Sequence, residues 1–451
     1  MFEPLVTAAE MRAAEEAYPG FPGTASELME RAGTAVAIEA MSAFPGCRRF
    51  AVVCGKGSNG GDGRIAARML RQHGREGVVT REPEGFDVVI DALLGTGARG
   101  APRPALAKLI GRINACGVPV VAVDLPSGVD ASTGEVPGAA IAATLTVTFH
   151  ARKLGQVVAP GRFHTGHVVV ADIGLQPQPA AARRAREAIL RLVPRRSAID
   201  SKFSAGSVLV VGGAPGTTSA AVLSAMAALR ADAGYVTLAV PRAALSTAES
   251  LALEPVKRGF RWADAVETLM PDVERSSALA IGSGLGRSRE AKVLVRRLLE
   301  QANLPAVVDA DALHELEPVP RAAPTVLTPH AGELARMLGW SSDAVGAARL
   351  DAARQAAEQY QAVIVLKGAD TIVQAPGAAP VVADHGPPSL ATAGTGDVLT
   401  GVIAAFLAKG LDPVDAAAAG AVAHGLAAAR AHSQSGLIAS DLLELLPAVL
   451  G

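Results

Sequence analysis

The stretch Ser389-Leu-Ala-Thr-Ala-Gly-Thr-Gly-Asp-Val-Leu-Thr-Gly401 decides how the rest of the chain is read. From Val398 onward its apolar residues recur at helical spacing: Val398, Val402 and Ala405 on one line, Leu399, Ile403 and Phe406 beside it. Gly410 stands where a C-cap belongs. Gly394, Thr395 and Gly396 therefore run into a helix whose first N–H groups are free, an arrangement suited to a phosphate. Asp397 is out of place beside an anion. It fits either a catalytic base that takes a proton from a substrate hydroxyl or an ordinary cap after a glycine turn. The tetrapeptide alone leaves both readings standing.

Working outward, strands alternate with helices through the C-terminal half, and most strands end in a polar or glycine-rich loop. Ser207 to Val211 ends in Gly212-Gly213, and Leu279 to Ile281 in Gly282-Ser-Gly-Leu-Gly286. Ala306 to Val308 ends in Asp309-Ala-Asp-Ala-Leu313, and Thr325 to Leu327 in Thr328-Pro-His-Ala-Gly-Glu333. Ala362 to Leu366 ends in Lys367-Gly-Ala-Asp-Thr371. This alternation predicts a mostly parallel sheet with helices on both faces, and ligands at the carboxyl ends of its strands.

The N-terminal half repeats the design. Helices are expected at 10–17, 27–41 and 64–72, and strands at 48–53, 86–90, 118–123, 143–149 and 167–171. Three successive strands deliver Cys54-Gly-Lys-Gly-Ser-Asn-Gly-Gly-Asp-Gly63, Asp91-Ala-Leu-Leu-Gly-Thr-Gly97 and Asp124-Leu-Pro-Ser-Gly-Val-Asp130 to one sheet edge. Asn59, Asp91, Asp124 and Ser127 gather oxygen ligands there, which suits a cation or a sugar phosphate. The glycine spacing is neither the dinucleotide fingerprint in its usual register nor a P-loop. Residues 176–196, rich in Pro, Ala and Arg, read as a linker between domains at 1–175 and 197–451.

The totals bound the partners. A chain of 451 residues with half of them apolar holds two cores, and a net charge of −1 disfavours nucleic acid. Three cysteines without C-x-x-C spacing indicate a reducing, cytoplasmic setting, and no segment reads as a signal or a membrane span.

The N-terminal motifs, with Thr146-Val-Thr-Phe149 and Asp172-Ile-Gly-Leu175, resemble the NAD(P)H-hydrate epimerase family. The resemblance implies a Rossmann-like three-layer α/β/α domain that interconverts the R and S epimers of NAD(P)H carrying water at C6 of the nicotinamide ring. It further implies that Ser58, Asn59, Gly60, Gly61, Asp62, Gly95, Thr96, Gly97, Ala98, Arg99, Gly100 and Ala101 hold the hydrate. Asp124 would act at its nicotinamide end, and Asn59, Asp91 and Ser127 would surround K+. The family usually has Asn where Ser58 stands.

The C-terminal loops, with Val210-Val-Gly-Gly213 and Ala227-Ala-Leu-Arg230, resemble the ribokinase-like α/β superfamily and within it the ADP-dependent NAD(P)H-hydrate dehydratases. By that resemblance Lys367, Gly368, Ala369, Asp370, Thr371, Gly394, Thr395 and Gly396 hold the adenine nucleotide, as ADP with Mg2+. Ala220, Gly284, Gly286 and His330 would contact the hydrate, and Asp397 would be the base. The family usually has Pro where Ser283 stands. The two halves together imply repair of hydrated NAD(P)H by a homo-oligomeric, bifunctional isomerase and lyase. A small-molecule kinase carrying an N-terminal binding or assembly module is the alternative.

Overall fold

A computed structural model describes residues 1–180, 182–199 and 201–451. Residue 181 of the expected linker lies outside them. The chain divides into two compact units, Pro4–Ala182 with Gly346–Ala348, and Met1–Glu3 with Arg183–Val345 and Arg349–Gly451.

From Pro4, within β1 (Phe2–Val6), the smaller unit runs through α1 (Ala8–Glu16), α2 (Ala25–Ala43), β2 (Arg49–Cys54), α3 (Ser58–Gln72), β3 (Glu76–Val79) and β4 (Val88–Ala92). It continues with α4 (Pro104–Ala115), β5 (Val120–Val123), β6 (Leu145–Phe149), β7 (Arg152–Lys153) and β8 (His167–Ala171). Six of the strands form a parallel sheet in the order β3-β2-β4-β5-β6-β8. The period-2 pleat splits their side chains between two cores. Phe50, Val52 and Ile90 pack with α2 and α3 residues such as Val36, Ala66 and Leu70. Ala51, Val53 and Val89 pack with Leu109, Ile110 and Ile113 of α4. The direction of winding reverses between β2 and β4, and such a switch point opens a crevice at the carboxyl ends of the strands.

The larger unit runs β9 (Ala182–Ala185), β10 (Ser207–Val211), α5 (Thr218–Arg230), β11 (Tyr235–Pro241), α6 (Leu245–Leu251), β12 (Val256–Phe260), α7 (Ala265–Arg275) and β13 (Ala278–Ile281). Next come α8 (Arg289–Gln301), β14 (Ala306–Val308), β15 (Thr325–Leu327), α9 (Ala331–Leu338), α10 (Ser342–Ala347), α11 (Arg349–Tyr360) and β16 (Val363–Leu366). The unit ends with β17 (Thr371–Gln374), β18 (Val381–Ala383), α12 (Thr395–Ala408), α13 (Pro413–Ala429) and α14 (Ala439–Leu450). Its strands lie in the order β12-β11-β10-β13-β14-β15-β16-β17-β18-β9. They are parallel from β12 to β16, and β17 pairs antiparallel with both of its neighbours. Here the switch point lies between β10 and β13.

Helix α12 is buried along nearly its whole length between α5 and α13. Small residues permit that close packing: a Cβ on Gly401 would lie 2.0 Å from the Ser224 carbonyl oxygen of α5. One on Gly420 of α13 would lie 2.6 Å from Ile403 Cγ1.

Three expectations change. Helix α3 starts at Ser58, so the supposed glycine loop is already its first turns. Six strands (β1, β3, β7, β12, β17 and β18) are too short or too polar to stand out in the sequence. Within 176–196, Ala182–Ala185 pairs with β18 and a 3-10 turn at Glu187–Leu192 buries Ile189 and Leu190, so this stretch is partly woven into the larger unit.

Candidate active sites

In the larger unit, Gly394 is the N-cap of α12, with φ +90°, a left-handed value open to glycine at little cost. Asp397 is therefore the third helical residue and not the N-cap. Thr395 turns its hydroxyl back to the Leu390 and Thr392 carbonyls, each at 2.9 Å. The N–H groups of Gly396 and Asp397 make no hydrogen bond among the described residues, and they stand at the positive end of a 14-residue helix.

Beneath this turn lies a charge network. Lys367, just past β16, donates to Asp309 Oδ1 at 2.8 Å, and Thr400 of α12 donates to Asp309 Oδ2 at 2.8 Å. Burial works against the Lys367 ammonium, but Asp309, Glu333 and Asp397 outweigh it and raise it above the ordinary lysine range. Asp397 goes the other way: burial, then the Asp309 charge, push its carboxyl up to about 7, against the Ser283 hydroxyl and Lys367, which lower it. A Cβ on Gly396 would sit 3.3 Å from Lys367 Nζ, so this glycine keeps the approach to the lysine open.

The loops at the switch point are tied to one another. Gly213 N donates to Ser283 O at 3.0 Å, and Thr217 Oγ1 donates to Gly284 O at 2.8 Å. Ser224 Oγ lies 2.8 Å from Ser283 Oγ and donates to Asp397 O at 2.8 Å. Gly286 N donates to Asp311 Oδ2 at 3.0 Å, and Ala220 lies against Gly284. His330 caps α9: its Nδ1 accepts from Gly332 N at 3.0 Å and Glu333 N at 3.3 Å, which places the proton of a neutral ring on Nε2, 3.6 Å from Glu333 Oε1.

Among the residues expected to hold the nucleotide, Lys367, Gly394, Thr395 and Gly396 come together at this edge. Gly368, Ala369 and Thr371 form the turn between β16 and β17. Asp370 is different: its carboxylate is buried against Arg349 Nε at 3.0 Å, so its side chain braces the turn. Sequence reading gave no individual role to Asp309, Ser224 or Thr400. The Asp309-Ala-Asp pattern was the available signal for the first; the two hydroxyls lie in apolar helices and give none.

In the smaller unit, Asn59 Nδ2 donates to Leu94 O at 2.9 Å, and Ser127 Oγ accepts from Leu94 N at 2.9 Å. Asp91 accepts from Ser127 Oγ at 2.7 Å, Ser127 N at 2.9 Å and Leu93 N at 3.2 Å. The three residues expected at a cation thus share one knot. Burial raises the Asp91 carboxyl to about 6, and only neutral donors offset it. The Gly95–Ala101 loop leaves from the same knot, with Gly95 against Asn59. Gly60 and Gly61 serve packing: a Cβ would lie 2.1 Å from Gly55 O or 2.4 Å from Met29 Sδ.

Asp124 follows β5 with φ +64°. Its Oδ1 accepts from Lys153 Nζ at 2.5 Å and Thr148 Oγ1 at 3.1 Å, and its carbonyl accepts from Gln156 Nε2 at 2.7 Å. Burial first, then Asp124 and Glu15, push Asp62 up to about 8, so it is largely protonated at neutral pH. Glu15 of α1 is likewise raised, mainly by burial. Sequence reading missed Lys153, Gln156 and Glu15; a lysine four residues past Phe149, before the buried run Val157-Val158-Ala159, was the only trace.

Known proteins share this chain's design. A family model described as NAD(P)H-hydrate dehydratase matches residues 208–448, and one described as YjeF-related protein N-terminus matches 25–84 and 80–155. The bifunctional NAD(P)H-hydrate repair enzyme Nnr of Moorella thermoacetica is 40% identical across 99% of this chain and 96% of its own length. Its Escherichia coli counterpart is 36% identical across 95% and 90%. A Bacillus subtilis ADP/ATP-dependent NAD(P)H-hydrate dehydratase, co-crystallised with ATP/Mg2+, superposes with a TM-score of 0.55 at 30% identity, covering 58% of this chain and 96% of that one.

Proposed function

The chain belongs to the family of bifunctional NAD(P)H-hydrate repair enzymes, and from that membership we propose how its two units divide the work. The smaller unit, within 1–175, epimerises R and S hydrates; the larger, within 197–451, dehydrates the S form with ADP, giving NAD(P)H, AMP and phosphate. The observation that carries the dehydratase reading is Asp397: a carboxylate raised to about 7, over a lysine, at an open helix N-terminus.

Hydroxide leaves carbon poorly, and a phosphate ester leaves well. Asp397 takes the proton of the C6 hydroxyl as that oxygen attacks the terminal phosphorus of ADP. A base whose pKa lies near neutrality suits the step. The Gly396 and Asp397 N–H groups and the helix dipole stabilise charge on the transferring phosphoryl group, and Lys367 adds a fixed positive charge. The C6–O bond then breaks with help from the N1 electron pair, the departing phosphate takes up the C5 proton, and the C5=C6 double bond of NAD(P)H is restored. Mg2+ arrives on the nucleotide phosphates as part of the substrate. His330 Nε2–H and the Gly284–Gly286 backbone serve as contacts for the hydrate.

In the smaller unit the oxygen-only set of Asn59, Asp91 and Ser127 fits K+, since Asp91 is a fully buried carboxylate without a cationic partner among the described residues. The ion would balance that charge and fix the loops after β4 and β5. On this reading K+ raises the melting temperature more than Na+ does, and the difference disappears in Asp91→Asn. A cytoplasmic homo-oligomer completes the proposal, supported by three free cysteines and by exposed Phe163 and Val170; light scattering of the purified chain tests the assembly.

The test of the central claim is to incubate the protein with mixed NADH hydrate epimers and ADP and follow NADH absorbance. Recovery of NADH with release of free phosphate supports the reading. Accumulation of a stable phosphorylated product would identify a kinase instead.

A further inference from the structure

One buried cation has no part in the function as derived so far. Lys153 is fully enclosed, with a relative exposure of 0%, and its ammonium makes three hydrogen bonds: Asp124 Oδ1 at 2.5 Å, Phe149 O at 2.9 Å and Thr148 Oγ1 at 3.0 Å. The enclosure bars it from touching substrate, so whatever it does passes through Asp124. Every bond that Asp124 accepts at its carboxylate falls on Oδ1. Oδ2 makes none among the described residues, and it is not among the sealed, unpartnered atoms. One oxygen is locked and the other is open.

We infer that Lys153 is the positioning residue of the epimerase site: clamped on Oδ1, it fixes the Asp124 carboxylate in place and leaves Oδ2 to act as the base. The inference rests on the epimerase reading above. The surroundings explain why a clamp is needed. Asp124 lies near Asp62 of α3 and Glu15 of α1, and its charge adds to the burial that pushes both of those carboxyls up. Arg12 acts on Glu15, and burial, then Lys153 itself, push the His150 imidazole below its ordinary value. Lys153 is the cation in hydrogen-bonding contact with the Asp124 carboxylate. Gln156, three residues on, ties the Asp124 carbonyl and also accepts from Lys153 N at 2.9 Å, so side chain and backbone are held from one turn.

A carboxylate with one oxygen open, beside an Asp62 carboxyl pushed up to about 8, makes a base and an acid. The C6 hydroxyl proton passes to Asp124 Oδ2 while the N1–C6 bond breaks and its electron pair goes to N1. N1 takes a proton from Asp62, and C6 becomes an aldehyde carbon. Rotation about the C5–C6 bond presents the other face, and closure reverses both proton transfers. Nothing is oxidised or reduced.

The test follows R-to-S conversion of NADH hydrate chromatographically, without ADP, from pH 5 to 9 in the full chain. Lys153→Met is expected to move the acid limb of kcat/KM upward by at least about one pH unit, since Asp124 loses the charge that favours its ionised form. The rate should recover in part at high pH. Thr148→Val, a near-isosteric change, is expected to move the limb in the same direction by less, and decides the matter if Lys153→Met fails to fold. A limb that stays in place while the rate falls equally at every pH would assign Lys153 a structural role only and overturn the inference. A wild-type chain that never epimerises would overturn the epimerase reading instead.

Discussion

Asp397 carries its charge against its surroundings, and that cost is what makes it useful. With its carboxyl pushed to about 7, first by burial and then by Asp309, the base form fades as pH falls below neutrality. The dehydratase kcat/KM should therefore rise with pH along a single acid limb. Ser283 sits where it lowers that value, and removing its hydroxyl should move the limb up. A hydrogen bond to a charged group is worth about 1.5–3 kcal/mol, which corresponds to a shift of about one pH unit or more in Ser283→Ala. An unmoved limb would mean that Ser283 only links Ser224 to the loop. The same residue links to stability. Because the folded-state pKa is raised above the ordinary 3.8, the folded chain holds a proton that the unfolded chain has released, and Asp397 drains stability as pH rises from about 4 through about 7. Asp397→Asn is expected to melt higher than wild type at pH 8 and about equally at pH 4, while losing dehydration by about 10²–10⁴-fold. The Gly-Thr-Gly-Asp turn was legible in sequence, with its acid readable as a base or as a cap. Its pKa was not, because Asp309, Ser283 and Lys367 reach it from three other strand ends.

At the scale of elements, α12 is positioned by what it lacks. Gly401 lets α5 come so close that a methyl group would overlap the Ser224 carbonyl, and Ser224 is the residue that holds Asp397 O. Gly401→Ala gains about 1 kcal/mol of helix propensity. It loses more to the clash, for a net destabilisation of about 1–3 kcal/mol. Dehydratase activity should fall even where the fold survives, because the first turn of α12 shifts. Urea unfolding and kcat, measured on the same preparation, check both halves of this expectation. Helix α3 teaches the related lesson. The resemblance implies that its glycines hold the hydrate, and the structure packs Gly60 and Gly61 against Gly55 and Met29. A sequence marks a glycine as special but does not say whether its missing side chain makes room for a ligand or for a neighbouring helix.

For the whole molecule, two compact units with separate sites predict separable activities. Asp124→Asn should consume S-hydrate at the normal rate with ADP and stall on R-hydrate at the spontaneous rate. Asp397→Asn should epimerise normally and restore no NADH. Feeding each variant purified epimers, and then mixing the two variants, should recover the full reaction; no recovery would mean that the sites depend on one another. The sequence by itself determined the parallel α/β class of both halves, the order of the loops and the acids that end the strands, because alternation, strand-end glycines and buried apolar runs are local properties. The tertiary structure decided the rest. It turned Asp370 inward to Arg349, made β9 of a stretch that read as linker, and brought Lys153 from beyond β6 onto Asp124. Partnerships between side chains far apart in sequence, and the dielectric around them, exist only once the sheet has been assembled, so no pattern of spacing could carry them.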